Sequence, residues 1–426
     1  MAGPSRGSPG HRLHRCQLID HLDEIIRVEG GQVLATLIRL TGDIDRAEDA
    51  LHDAIVAAAQ TWRRDGVPHR PGAWLTTVAR NKALDRLRRE AKRLPKEREA
   101  FRLLDEESSR DDGPQDRTDD RLRLLFTCCH PALSPESQIA LALRTICGLS
   151  TLEIARVFLV PEATIGQRIS RSKRKIAMAK IPYRVPAEHE LPDRLRCVLS
   201  TVYAVFTAGH HAPSGEFESR VDLAPEGIRL SRLLVELMPD EGECVGLLAL
   251  MCAAHARRGG RADEDGEIVL LANQDRSRWD FAAIDEASRL VESVLGRGRP
   301  GPYQIQAAIS CLHSGARTYA ETDWPQIVEL YGLLEQRWPT PVVRVNRAVA
   351  VAEVHGPAAG LELLASLVGT PIERWHLYWA TRADFLRRVD DHVGAAESYR
   401  RALGCPCNDS DQRFLQRRLA EVAGAG

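Results

Sequence analysis

Residues 149–176, LSTLEIARVFLVPEATIGQRISRSKRKI, read as two short helices joined by a tight turn. Ser150 or Thr151 suits the cap of the first helix, and Glu153 places an acid in its first turn. Leu152, Ala155 and Phe158 share one face, with small Ala155 where two crossing helices must approach closely. Leu159 holds the turn position where glycine is common, and Pro161 suits the start of a second helix. On that helix Ile165, Ile169 and Ile176 make one inward stripe. Thr164, Gln167, Arg168, Arg171, Ser172, Arg174 and Lys175 fill the other faces, groups suited to phosphates and base edges. An apolar stripe under a basic outer face is what a DNA-reading helix-turn-helix requires. A solvated surface hairpin would carry similar charges, so the neighbouring segments must decide.

Upstream, Arg121 to Ile146 reads as two more helices with a turn at Pro131 to Pro135. Before them EESSRDDGPQDRTDD (106–120) is acidic and aperiodic, a linker. AWLTTVARNKALDRLRREAKRL (73–94) is a basic amphipathic helix, preceded by a Pro- and Gly-containing loop (63–72) set between Trp62 and Trp74. Those tryptophans fit either stacking platforms for unpaired bases or core anchors. DIDRAEDALHDAIVAAAQTW (43–62) pairs Asp45 with Glu48 at capping-box spacing. It carries a small-residue stripe (Ala47, Leu51, Ala54, Ile55, Ala58) beneath an acidic surface of Asp43, Glu48, Asp49 and Asp53. Residues 20–40 have helical apolar spacing interrupted by Gly30-Gly31, and 1–19 read as a disordered lead.

Charge follows the same division. The net charge of −1 conceals 31 Lys+Arg against 25 Asp+Glu through Lys180, and 27 against 34 beyond it. A basic front and an acidic back fit nucleic-acid binding at one end and a protein-facing module at the other. No apolar run reaches membrane-spanning length and no secretion signal opens the chain, so a soluble cytoplasmic protein without membrane contact is expected. The ten cysteines include no C-x-x-C pair, and neither Cys128-Cys129-His130 nor Cys405-Pro406-Cys407 has a second half for zinc. With neither a phosphate-binding glycine loop nor a G-x-S-x-G nucleophile, no catalytic residue, metal or cofactor is expected.

Taken together, the blocks over roughly the first 180 residues resemble, in order and spacing, the extracytoplasmic-function (ECF) group of bacterial RNA polymerase sigma factors. IPYRVP (181–186), LLANQDRSRWD (270–280), GPYQIQAAI (301–309) and TDWPQIVELY (322–331) are similar to the subgroup with a long C-terminal helical extension ending in a tetratricopeptide-like repeat. Independently, Trp379, Ala383, Leu386, Ala395, Tyr399 and Ala402 fall at positions 4, 8, 11, 20, 24 and 27 of such a repeat, with a further hairpin expected around His355-Gly356-Pro357.

The resemblance implies an all-α fold. Its parts are a region-2 domain (20–95), an acidic linker (96–120), a region-4 domain (121–180), a helical domain (181–295) and tetratricopeptide-like helices (296–426). It implies a non-enzymatic initiation factor whose partners are core RNA polymerase and promoter DNA. Asp43, Glu48, Asp49, Leu51 and Asp53 would dock on the largest-subunit clamp, with the flap of the second-largest subunit as a further contact. Trp74, Thr77, Arg80, Asn81, Arg86, Arg88 and Arg89 would engage the −10 element. Thr164, Gln167, Arg168, Arg171, Arg174 and Lys175 would engage the −35 element. The repeat-like region would receive a protein regulator or contact core. In that extension Asn273, Gln274, Asp275, Arg276, Arg278, Trp279 and Asp280 form the one polar cluster, read as a capped, salt-bridged corner. The competing readings are a one-component helix-turn-helix regulator with a helical sensor domain, and a repeat scaffold whose basic helices are only solvated.

Overall fold

In the computed structural model the described residues are 9–91, 114–158, 160–210, 223–298 and 300–424. They are helical, and among them the only extended pairing is an isolated bridge between Ala262 and Ile268. The all-α expectation therefore holds. The chain forms two compact units, Met1–Val205 and Phe206–Gly426.

The first unit contains α1 (Pro9–Thr41), α2 (Ile44–Asp65), α3 (Pro71–Ala91), α4 (Pro114–Cys128), α5 (Pro135–Thr145), α6 (Thr151–Phe158), α7 (Glu162–Met178) and the first part of α8 (Leu191–His210). Residues 1–8 of the expected lead and 96–113 of the expected linker lie outside the described residues. α1 already begins at Pro9, because His11 to Leu18 contains no helix breaker. It also runs unbroken through Gly30-Gly31. A Cβ on Gly31 would stand 2.7 Å from the Ile146 carbonyl oxygen, so glycine lets α1 press on the end of α5 rather than interrupting the helix.

Thr41 and Gly42 end α1, Gly42 with a φ of +67°. Asp43, not Asp45, then caps α2, accepting a hydrogen bond from the Arg46 N–H at 2.9 Å. The buried stripe of α2 is Ile44, Ala47, Ala50, Ala54, Ala58 and Trp62, while Leu51 and Ile55 remain partly exposed. Small residues at this spacing bring α1, α2 and α3 close together, with Leu75, Ala79, Ala83 and Leu84 inward on α3.

The C-terminal end of the expected linker is the start of α4. Asp120 is 1% exposed, held by Arg39 at 2.9 Å and Arg123 at 3.1 Å. An ionised carboxylate is tolerated inside when cations and hydrogen bonds surround it. The Tyr183 hydroxyl, from IPYRVP, reaches the carbonyls of Ala35 (2.9 Å) and Asp120 (3.1 Å), tying α1, α4 and the connector together. Arg194 donates to the Phe126 carbonyl and Thr201 to Gln138 Oε1, so the first unit continues past the expected boundary at 180/181.

The second unit contains α9 (Leu223–Leu237), α10 (Gly242–Ala256), α11 (Phe281–Leu295), α12 (Pro302–Gly315), α13 (Trp324–Arg337), α14 (Pro341–His355), α15 (Pro357–Ala365), α16 (His376–Arg388), α17 (His392–Leu403) and α18 (Asp409–Ala423). α10 is the central helix, buried along most of its length. Gly246 lets the Gln304 backbone approach, and Glu243 receives the Tyr303 and Gln304 N–H groups. The line expected at 295/296 thus crosses tightly packed helices. All six residues read at repeat positions, Trp379 to Ala402, are buried in one apolar cluster between α16, α17 and their neighbours. The expected earlier hairpin is α14–α15, turned at Gly356 with a φ of +88°.

Candidate nucleic-acid interface

A capping box starts α6. Ser150 Oγ accepts from the Glu153 N–H, and Glu153 Oε2 accepts from the Ser150 N–H at 2.7 Å. Thr151 Oγ1 donates to Glu162 Oε1 at 2.6 Å, clipping the start of α6 to the start of α7. The inward residues of α6 are Ile154 and Ala155, whereas Leu152, expected inside, is 44% exposed. Ile154, two residues on and so on the opposite side of the helix from Leu152, is fully buried, which leaves Leu152 on the outer face. Leu159, at the expected turn, lies outside the described residues.

On α7 the stripe Ile165, Ile169 and Ile176 is buried as its spacing requires. Ser172, expected outside, is buried and donates to the Arg168 carbonyl. Thr164, Gln167, Arg171, Arg174 and Lys175 are exposed. Lys175 reaches back to the Ala132 carbonyl. Arg168 is half-buried, its guanidinium 5.1 Å from the Phe158 ring centre, so it braces α6 against α7. The outer basic face is therefore Gln167, Arg171 and Arg174 rather than a set including Arg168.

On α3, Thr77, Asn81, Arg88 and Arg89 are exposed and Arg80 is partly so. Trp62 is buried, and Trp74 packs on it edge to face with ring centres 5.3 Å apart. Trp62 is a core anchor, leaving a partly exposed Trp74 beside the loop. Arg86 bridges to α2, at 2.8 Å from both Asp49 and Asp53.

One lysine ties the basic helix α7 to the acidic helix α2. Lys173 Nζ, on the far side of α7 from the outer face, sits 2.7 Å from Glu48 Oε2 and 2.9 Å from Asp45 Oδ1. Burial works against its ammonium, yet the hydrogen bonds to Asp45 and Glu48 outweigh that and hold its pKa above the ordinary lysine value.

A family model described as Sigma-70 region 2 matches residues 25–93, and one described as Sigma-70, region 4 matches residues 123–176. Over 147 residues the chain is 31% identical to the ECF RNA polymerase sigma factor SigL of Mycobacterium tuberculosis (strain ATCC 25618 / H37Rv), a match spanning 33% of this chain and 78% of that protein. This chain belongs to the ECF RNA polymerase sigma factors. The sigma factor carries a long extension, of which residues 194–295 match a family of unknown function, DUF6596. It is 41% identical over 397 residues to the uncharacterized protein R00370 of Rhizobium meliloti (strain 1021), covering 92% of this chain and 93% of that protein. No solved structure matches the chain. No helix among the described residues is long and apolar enough to cross a membrane.

Within the sigma factor, region 2 is thus α1 to α3 and region 4 is α4 to α7. The residues expected to meet DNA fall on exposed parts of α3 and α7, apart from Arg168 and Arg86, whose side chains face protein partners. Of the acids expected to meet core polymerase, Asp43 is occupied as a helix cap, Glu48 by Lys173, and Asp49 and Asp53 by Arg86. Sequence reasoning missed Asp120, Tyr183 and Lys173. Asp120 was hidden among eight acids of one run, Tyr183 lay in a short connector, and Lys173 looked like one more base of a basic helix. A lysine on the side of α7 away from Gln167 and Arg171 was the available signal.

Proposed function

We propose that this sigma factor binds core RNA polymerase through the acidic face of α2 (Asp43, Glu48, Asp49, Leu51, Asp53), against the clamp of the largest subunit, with region 4 meeting the flap of the second-largest. α7 enters the major groove of the −35 element, with Gln167 and Arg171 at base edges or adjacent phosphates and Arg174 and Lys175 at phosphates. α3 grips the −10 element through Arg80, Asn81, Arg88 and Arg89, with Thr77 and Trp74 near an unstacked base. The C-terminal unit regulates the sigma factor, through a protein partner on its repeat-like helices or through core.

One observation supports this reading above the others: the exposed row Gln167, Arg171 and Arg174 stands on the buried stripe Ile165, Ile169 and Ile176 within a helix-turn-helix locked by Thr151–Glu162. No hydrogen bond or ion pair engages the Arg171 and Arg174 side chains among the described residues, which leaves them for a polyanion. The test is run-off transcription with purified core polymerase, comparing the full chain with Arg171→Ala/Arg174→Ala. Promoter-specific transcripts weakened by the double variant are expected. Tight duplex binding by the chain alone, with no core binding, would instead favour a one-component regulator.

A further inference from the structure

In the second unit three segments meet at one corner: the end of α10 with the following turn (256–261), the turn 275–280, and the end of α12 (313–316). The Asp280 N–H donates to the Ala256 carbonyl, and Ala256, Trp279 and Ile284 form a small apolar cluster there. Most of the polar residues of this corner are occupied structurally. Asp275 accepts from Ser277, Asp280 caps α11, and Gln274 donates to the Val269 carbonyl.

Arg257 and Arg276 are satisfied only in part. Arg276 lies over Trp279, 4.5 Å from the ring centre, and its Nη1 donates to the carbonyls of His313 and Ala316. Its Nη2 is sealed from solvent without a partner, as are Arg257 Nε, Trp279 Nε1 and His313 Nδ1. No hydrogen bond or ion pair to the Arg257 guanidinium occurs among the described residues. Arg261 and Arg276 act against the charge of Arg257 while Tyr331 and Cys311 favour it, Arg257 and Arg276 act against that of His313, and of these three groups only Arg276 is acted on by a carboxylate, Glu321. Burial, and then Arg257 and Arg276, push His313 down to about 4. Burial, then Arg261 and Arg276, push Arg257 down to about 10.

Buried charges are ordinarily paired, and buried donors ordinarily find acceptors. Several donors without acceptors and two like charges thus gather in one corner, where the nearby aspartates Asp275 and Asp280 are committed elsewhere. We propose that Arg257, Arg276, Trp279 and His313 form a binding site for a small phosphate-bearing ligand, with the two guanidinium groups holding the phosphoryl oxygens and the indole and imidazole nitrogens completing the shell. Guanidinium forks match phosphate geometry and keep their charge when desolvated, which favours phosphate over a monovalent halide. The site lies outside both DNA-binding regions and is independent of how those regions act. It gives the extension a means of sensing either free phosphate or a phosphorylated metabolite.

The test uses the full chain and two probes, inorganic phosphate and adenosine monophosphate, each against sodium chloride at matched ionic strength. Thermal melting should rise saturably with at least one probe, and titration calorimetry should give a single site. Arg257→Met removes a charge that makes no hydrogen bond in the fold, so it should fold and should weaken binding at least tenfold. Arg276→Met also loses two contacts to carbonyls, and serves only as a supporting variant. In labelled protein, the His313 imidazole should titrate at higher pH when phosphate is bound, and this rise should vanish in Arg257→Met. Tighter binding of the monophosphate assigns a metabolite, and tighter binding of inorganic phosphate assigns the free ion. Identical melting at matched ionic strength, an undiminished shift in Arg257→Met, or binding of duplex DNA alone through these residues would overturn the proposal.

Discussion

Lys173 Nζ lies 2.7 Å from Glu48 Oε2, joining the helix assigned to DNA reading to the helix assigned to core binding. The second arm, to Asp45, reaches a side chain that is 74% exposed, whereas Glu48 is 24% and Lys173 only 11% exposed. Screening by water therefore weakens the Asp45 arm and spares the Glu48 arm. Asp45→Ala should cost under about 1 kcal/mol of stability. Lys173→Met should cost about 1–3 kcal/mol, because it strands a half-buried carboxylate. Urea unfolding of the full chain checks both values. If Glu48 also docks on core polymerase, Lys173→Met should bind core severalfold more tightly at low salt; unchanged affinity would remove Glu48 from the core contact.

Asp120 carries a larger share of the first unit. Replacing it with alanine leaves Arg39 and Arg123 facing each other without their shared anion, and about 3 kcal/mol or more should be lost. Tyr183→Phe removes one hydroxyl shared by two carbonyls and should cost about 1 kcal/mol. Denaturant midpoints of the two variants, read against the parent, decide whether the connector is fastened as described.

Two glycines should respond in opposite directions. At Gly31 an added methyl meets the Ile146 carbonyl oxygen and Cα, both backbone, so Gly31→Ala should destabilise by about 1–3 kcal/mol. At Gly166, inside α7, an added methyl meets nothing within 4 Å and the backbone is helical. Gly166→Ala should stabilise by about 0.5–1 kcal/mol through lower entropy of the unfolded chain. Thermal melts that rank the pair the other way would contradict the packing of α1 on α5.

The repeat positions from Trp379 to Ala402 and the stripe Ile165, Ile169 and Ile176 were legible because periodicity reports burial directly. The exposure of Gln167, Arg171 and Arg174 was legible for the same reason. What periodicity does not carry is the azimuth of a short helix: α6 has only eight residues, and the face read through Leu152 turns that residue outward while Ile154 packs inside. Nor does composition report long-range pairing. Asp120 reads as linker until Arg39, eighty-one residues away, is seen beside it. Gly31 reads as a helix breaker until its partner, the Ile146 carbonyl, explains why a side chain is forbidden there.

The outer face of α7 makes a graded prediction. If Arg171 and Arg174 contact phosphate, each alanine variant should lower the salt slope of promoter binding by about one counterion. A base-edge contact by Arg171 would add about 1–3 kcal/mol of sequence discrimination, seen as a loss confined to the cognate −35 element. Arg168→Ala should instead lower melting stability, since its guanidinium packs on Phe158 within the motif. Binding measured at several salt concentrations, with melts of the same proteins, separates the two roles.

The second unit should lose stability in mild acid through His313. Its folded pKa is pushed down to about 4 by burial and by Arg257 and Arg276, while the unfolded imidazole titrates near 6.5. Between those values the unfolded chain binds the proton and the folded chain does not. The contribution is therefore fully present above about pH 6.5 and is lost as the pH falls toward 4. From pH 7 to pH 5 the loss should be about 2 kcal/mol. His313→Gln removes the titrating group, so its urea midpoint should fall less over that interval than the parent's. Trp324, whose ring centre is 5.1 Å from the imidazole, provides a fluorescence signal at the site itself. Equal pH dependence in parent and variant would mean that the imidazole is already charged in the folded protein, and that the arginines beside it are offset by an anion.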